Sequence, residues 1–303
     1  MFQTPILLII FKREETTKAV FEEIQKIKPS KLYVAADGPR NHVIGEEKLC
    51  QNTRAIIDTI NWECEVKKLY REENVGLKKA VPEAITWFFS HENAGIILED
   101  DCLPNSDFFK YCEHTLKLYQ DDKRIFHIGG TNFQNKPRNN SSWYFSKYNH
   151  VWGWATWKRA WDLYDSSMED LDHFISEAKK RKYWDSRKER IYWEKIFIKT
   201  KKGLINTWDY QWNYSMWINS GLSVTPNKNL VENIGFGFGA TNTSFLSKKD
   251  QTKKSENLPD LIHENLFIRD KTADMITFKL KYWGKFHERI FHRLRKIYKW
   301  IIK

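Results

Sequence analysis

Gly95-Ile96-Ile97-Leu98 runs without a break into Glu99-Asp100-Asp101. A short continuous apolar run of this kind suits a strand buried on both faces, as in parallel sheets covered by helical crossovers. The carboxylates that follow mark the strand's end. Working outward, the chain alternates in the same way on either side. Residues 5–11 are a second continuous apolar run, and 31–36, 65–70 and 124–128 read as further strands. Between them lie segments of helical spacing: 14–27 with Val20, Ile24 and Ile27; 46–60 with Leu49, Ile56, Ile57 and Ile60; 77–89; and a helix opened by Ser106. This βαβα order predicts an α/β fold with a doubly wound, mainly parallel sheet.

In such sheets ligands bind at the carboxyl ends of the strands. The polar clusters Lys12-Arg13, Asp37-Gly38, 71–76 and 99–101 all fall at those ends, so one shared site is expected. Neither G-x-G-x-x-G nor G-x-x-x-x-G-K-[ST] follows the first strand, which argues against a Rossmann dinucleotide site and a P-loop.

Charge and cysteine content narrow the classes further. Of the net charge of +11, the segment 276–303 carries +8, from nine Lys or Arg and one Glu, which leaves +3 for the other 275 residues. A nucleic-acid groove in the body is disfavoured. The four cysteines form no C-x-x-C pair, give no zinc signature and suit a reducing compartment. The apolar run 6–11 has no basic segment before it and is too short for a signal peptide or a membrane span. A cytoplasmic protein is expected, with peripheral attachment to the inner face of the cell membrane as an option.

Three adjacent carboxylates repel one another unless a cation sits among them, and a hard divalent ion such as Mg²⁺ or Mn²⁺ takes such oxygens while bridging phosphates. The plain alternative is a solvated acidic turn. Residues 143–217 hold ten of the 14 tryptophans. Trp152, Trp154 and Trp157 fall within six residues; indole faces stack on sugars, and the N–H donates to hydroxyls. Most of the ten are expected in the core, with Trp152 and Trp154 facing the site. In Trp208-Asp209-Tyr210-Gln211-Trp212 the carboxylate sits among large aromatics. Partial desolvation there raises its pKa and suits proton abstraction; helix capping is the alternative.

The segments PILLIIFKR (5–13), AADGPR (35–40), REENVGLKKAV (71–81), GIILEDDCLP (95–104), HVWGWATWKRAW (150–161), WDYQW (208–212) and NLVENIGFG (229–237) occur in the order seen in inverting GT-A glycosyltransferases. The chain resembles, over residues 5–243, the bacterial family-2-like nucleotide-diphospho-sugar transferases, also termed haemolysin-like and related to the N-acetylglucosaminyltransferase I group. The resemblance implies a metal-dependent transferase using Mn²⁺ or Mg²⁺ and a nucleotide-sugar donor, with uridine as the base. It implies that Asp101 binds the metal, while Asp100 and Glu99 hold ribose, sugar or metal-bound water. Asp37 would contact base or ribose, and Arg13 would lie near the nucleotide. Arg71, Asn74 and Gly76 would shape the loop around the nucleotide and phosphates, and Asp209 would be the catalytic base. Asn242 stands where relatives tend to carry His, which bears on metal affinity, and His263 is a second candidate helper. A surface glycan, on a lipid carrier, is the expected acceptor.

The expected organisation is a nucleotide-sugar half (1–128), an acceptor and catalytic half (129–246), a linker and packing segment (247–278) and a basic amphipathic tail (279–303). The tail repeats apolar residues from Leu280 and Trp283 to Ile301 among lysines and arginines. Such a helix lies on an anionic membrane or docks on its own domain or a twin subunit. Two rival activities are a sugar-1-phosphate nucleotidyltransferase, disfavoured because FKREETT stands where that class has a glycine-rich loop, and a non-catalytic glycan-binding protein.

Overall fold

The computed structural model describes residues 1–235, 253–258 and 260–283. The parallel half of the fold follows the hydrophobic pattern closely. Strands β1 (Ile6–Ile10), β2 (Lys31–Ala36), β3 (Glu65–Tyr70) and β4 (Ala94–Glu99) alternate with helices α1 (Glu14–Ile27), α2 (Glu46–Ala55) and α3 (Leu77–Phe89). A 3₁₀ turn, Ile56–Thr59, ends the second helical segment. Then come β5 (Cys102–Pro104), α4 (Ser106–Leu118) and β6 (Ile125–Gly129).

β1 pairs in parallel with β2 and β4, and β2 with β3. Every second residue of β1 faces a different core. Ile6, Leu8 and Ile10 pack with Phe21 and Ile24 of α1 and with Phe108 and Cys112 of α4. Leu7 packs with Val81, Ile85 and Phe88 of α3 on the opposite face. Both faces are covered at β1 and β4, which is why these strands read as apolar runs, whereas β3, at the sheet edge, reads EVKKLY and has no fully buried residue.

The aromatic-rich segment extends the same sheet. β7 (Trp143–Ser146), β8 (Trp154–Trp157) and β9 (Leu222–Pro226) give the order β3-β2-β1-β4-β8-β6-β9-β7. β8 lies between β4 and β6 and is antiparallel to both. β6 and β9 are parallel, and β7 is antiparallel to β9. Helices α5 (Lys158–Trp161), α6 (Leu171–Lys180), α7 (Arg187–Lys201) and α8 (Asp209–Ile218) cover the α3 face. A separate two-stranded ribbon joins β10 (Val231–Asn233) to β5, with Asn233 opposite Cys102.

The last described helix, α9 (Lys271–Thr277), continues as a π-helical turn, Phe278–Trp283. Arg269 bonds Asp274, which also accepts from Ser146 of β7, tying this segment to the sheet. The first residues of the expected tail therefore belong to the body: Tyr282 packs on Trp193 at 4.9 Å and on Tyr148 at 5.3 Å between ring centroids. The rest of the tail, residue Asn242, and residues 247–252 and 259 of the expected linker lie outside the described residues. No helix among the described residues is long and apolar enough to cross a membrane.

Candidate active site

The ends of β1, β2 and β4 open on a cavity of about 500 Å³. Arg13, Asp37, Arg71, Asn74, Gly76, Glu99, Asp100, Asp101, Trp152 and Asp209 all line it. Eleven site residues were expected from the sequence, and this cavity brings together all of them except Trp154.

Asp37, at the end of β2, is engaged within the protein. Its Oδ1 accepts the backbone N–H of Gly38 and of Val75, both at 3.0 Å. Its Oδ2 accepts from Asn74 Nδ2 and from the Gly76 N–H, also at 3.0 Å. A carboxylate offers about four lone-pair positions, and all are taken. In this structure Asp37 shapes the 74–76 loop. Gly76 has φ +79°, a conformation that favours glycine, and it precedes α3. The first-turn N–H groups of α3 and its dipole thus face the cavity beside Gly76, Leu77 and Ala80. Arg71 lines the same wall while its guanidinium bonds Glu83 at 2.6 Å.

The acidic triplet forms the floor. Asp100 is 4% exposed. Burial pushes its carboxyl well above the ordinary range, although Arg13 and the Phe11 N–H oppose the shift. Glu99 is likewise pushed up, by burial first and then by its acidic neighbours. Arg13 donates from Nη1 to Asp101 Oδ2 at 2.7 Å, and its Nη2 lies 3.3 Å from Asp100 Oδ1. The ribbon strand closes the far side: the Ile234 N–H donates to the Asp101 carbonyl at 2.8 Å. A Cβ on Gly235, just past β10, would stand 2.1 Å from Asp101 Oδ2 and 2.6 Å from Arg13 Nη1, so a side chain there would push this ion pair aside.

The triplet fits a divalent cation in one specific sense. Asp100 Oδ2 is buried without a hydrogen-bond partner. The contacts of Asp101 Oδ1 to Asn233 and Cys102 are long, at 3.5 Å each. Among the described residues no group of three or more His, Cys, Asp or Glu is arranged to hold a metal. Mg²⁺ sites, however, commonly use one or two carboxylates and complete the shell with water and substrate phosphates. Asp100 and Asp101 suit that kind of site.

Asp209 opens α8 and lines the same cavity, close enough to Glu99 to raise that residue's pKa. Burial raises the pKa of Asp209 itself, while a hydrogen bond from Thr207 and the first N–H groups of the helix pull it back. Thr207 and Asn206 also line the cavity, and the sequence reading missed both. The available signal was Thr207 itself, a hydroxyl two residues before Asp209 at a helix start. Lys281 was also missed as a site neighbour: its ammonium lies 3.7 Å from the Trp152 ring centroid and 3.9 Å from that of Phe133. It is also close enough to favour the charged form of Asp209.

Two expectations are corrected. Trp154 does not face the cavity. It is fully buried in β8, stacked on His127 at 4.9 Å and on Trp208 at 6.0 Å, because strand geometry turns it into the α3-side core. His263 does not approach the triplet cavity. Its Nε2 meets His114 Nε2 at 2.7 Å beside Trp143.

No family model matches the chain, and no curated protein matches it. Among solved structures, the chain is similar to UDP-glucose pyrophosphorylase complexed with UDP-glucose, at 9% identity and a TM-score of 0.38, over 76% of this chain and 93% of that one. It is also similar to 4-diphosphocytidyl-2C-methyl-D-erythritolsynthase from Anaerococcus prevotii, at 8% identity and 0.33, over 57% and 84%. HddC from Yersinia pseudotuberculosis aligns at 8% identity and 0.31, over 52% and 77%. Likeness at this level carries no argument about activity, so function rests on the chain's own residues.

Proposed function

We propose that this chain is a glycosyltransferase that moves a sugar from a nucleotide-diphosphate donor, a uridine-diphosphate sugar, to a hydroxyl of a surface glycan on a lipid carrier. The observation that supports this reading is one cavity lined both by the acidic triplet with its guanidinium and by Asp209. Such a cavity has separate places for a diphosphate and for a base.

Asp37, Asn74 and Gly76 hold a rigid loop against which a nucleoside can lie, and the α3 N-terminus favours the negative charge of a phosphate. A divalent ion held by Asp101 and Asp100 supplies Lewis-acid neutralisation of the departing diphosphate. Glu99 and Asp100 offer oxygens to sugar or ribose hydroxyls. Trp152 gives the acceptor sugar an aromatic face. Asp209, held by Thr207, takes the proton from the attacking hydroxyl, and one displacement inverts the anomeric centre. Incubation with a panel of nucleotide sugars, with Mn²⁺ or with EDTA, tests the reading through release of nucleoside diphosphate. Mn²⁺-dependent release from one or a few donors is the expected result. Equal release in EDTA counts against it.

A further inference from the structure

Arg13 occupies the position in which a cation is needed. Its two guanidinium nitrogens bridge Asp101 Oδ2 at 2.7 Å and Asp100 Oδ1 at 3.3 Å. Three consecutive carboxylates at one strand end repel one another, and the guanidinium of Arg13 is placed between two of them. Among the described residues, Arg13 is the cation paired with Asp100 and with Asp101. There is little room for a second cation while it stays. Gly235 closes on the Asp101 Oδ2 and Arg13 Nη1 pair so tightly that one added carbon would clash with both.

We infer that Arg13 and a divalent cation compete for the same carboxylates: Arg13 pairs with Asp100 and Asp101 here, and a bound divalent cation would displace it toward the phosphates of the incoming nucleotide. This rests on the metal-dependent reading above. Beside the coupling that direct metal–phosphate contact already gives, it adds an exchange of Arg13 between the carboxylates and the phosphates that the reading alone does not require. Released from the carboxylates, the guanidinium keeps its fork of donors and its side chain ends on the cavity wall. A diphosphate is the anion such a fork binds well. The metal alone must compete with Arg13 and leave a buried guanidinium unpaired. The nucleotide alone must draw Arg13 from the triplet and leave carboxylates uncompensated. Bound together, each removes the other's cost, so they should bind with positive coupling, which by linkage is the same in both directions. The geometry thus makes Arg13 a positioning residue for the order in which the site fills.

The test is calorimetric titration of Mn²⁺ into the full chain, with and without UDP, for the wild type and for Arg13→Met. In the wild type UDP should tighten Mn²⁺ binding about 10-fold or more, within the usual range for coupled sites. Arg13→Met should bind Mn²⁺ alone about 10-fold tighter than the wild type, bind UDP more weakly, and show less coupling. Circular dichroism checks that the variant folds. Should it not, the wild-type coupling decides the matter, and its absence overturns the inference. Wild-type Mn²⁺ binding in the presence of UDP, with Arg13→Met no tighter for Mn²⁺, overturns the exchange of Arg13 and leaves the metal reading intact. Absence of Mn²⁺ binding by both proteins, even with UDP, removes the metal reading and this inference together.

Discussion

Arg13 Nη1 and Asp101 Oδ2, 88 residues apart in sequence, meet at 2.7 Å on the cavity floor. The contact joins the ends of β1 and β4, and it shows that the acidic triplet is a charge-balanced site rather than a solvated turn. Asp101→Ala should therefore retain the fold, because the backbone bond from Ile234 is kept. It should lose Mn²⁺-dependent release of nucleoside diphosphate. Thermal melts and release assays run in parallel check both halves; release at the wild-type rate would exclude Asp101 as the metal ligand.

Asp209→Asn should keep donor affinity and lose transfer by about 10²–10⁴-fold, the usual contribution of a general base. Thr207→Val gives a subtler readout. The Thr207 hydrogen bond stabilises the ionised carboxylate, so its removal raises the Asp209 pKa. The acid limb of kcat/KM, which needs ionised Asp209, should shift to higher pH. An unmoved limb in a folded variant would assign the proton acceptor elsewhere.

β1, β2 and β4 and most of their helices were legible because each strand buries both faces and each helix one stripe, so local pattern and final position agree; Leu49 of α2, read with the apolar face of 46–60, is exposed instead. The second half was not legible for the opposite reason. β8 is Trp154-Ala155-Thr156-Trp157, buried throughout, and its place between β4 and β6 depends on antiparallel pairing with residues 25–63 positions earlier. No local period records such a pairing. The same cause separates Trp152 from Trp154: two residues apart, they were expected together, yet one lines the cavity just before the strand and the other enters the core. The carboxylates could be read because charge after an apolar strand is conspicuous. Thr207 and Lys281 could not, because their relation to Asp209 and Trp152 exists only after α8 and the C-terminal turn have packed.

Glu46 offers a stability test away from the chemistry. Its side chain is buried, accepts from Arg40 and Lys12, and is held down to about 2 from an ordinary 4.5, chiefly by the Arg40 hydrogen bonds. A lowered pKa means that the contribution is complete above about 4.5 and fades as pH falls toward 2. The shift sets an upper limit of about 3 kcal/mol. Arg40 is 35% exposed, so solvent screening reduces the expected value to about 1–2 kcal/mol. Urea melts of Glu46→Gln at pH 7 should show that loss, and the gap to the wild type should narrow below pH 4.5 and close as pH falls through about 2.

The basic segment is best tested by truncation after Trp283, because Tyr282 and Lys281 are packed against Trp193 and Trp152. Removal of residues 284–303 should abolish flotation with phosphatidylglycerol vesicles at low salt while sparing activity on a soluble acceptor. Each Lys or Arg near an anionic surface contributes about 1 kcal/mol, and salt screens the attraction. Removal of 279–303 should cost activity as well. Equal flotation of full-length and truncated chains would favour a tail docked on protein.

Phosphorus NMR of the reaction products tests the proposed chemistry most directly. The chain is incubated with Mn²⁺ and either a UDP-sugar with a glycan acceptor or UTP with a sugar-1-phosphate. Glycosyl transfer predicts UDP in the first mixture, lost in EDTA, and no pyrophosphate in the second. Pyrophosphate in the second mixture, with no UDP in the first, would contradict it and make the chain a nucleotidyltransferase.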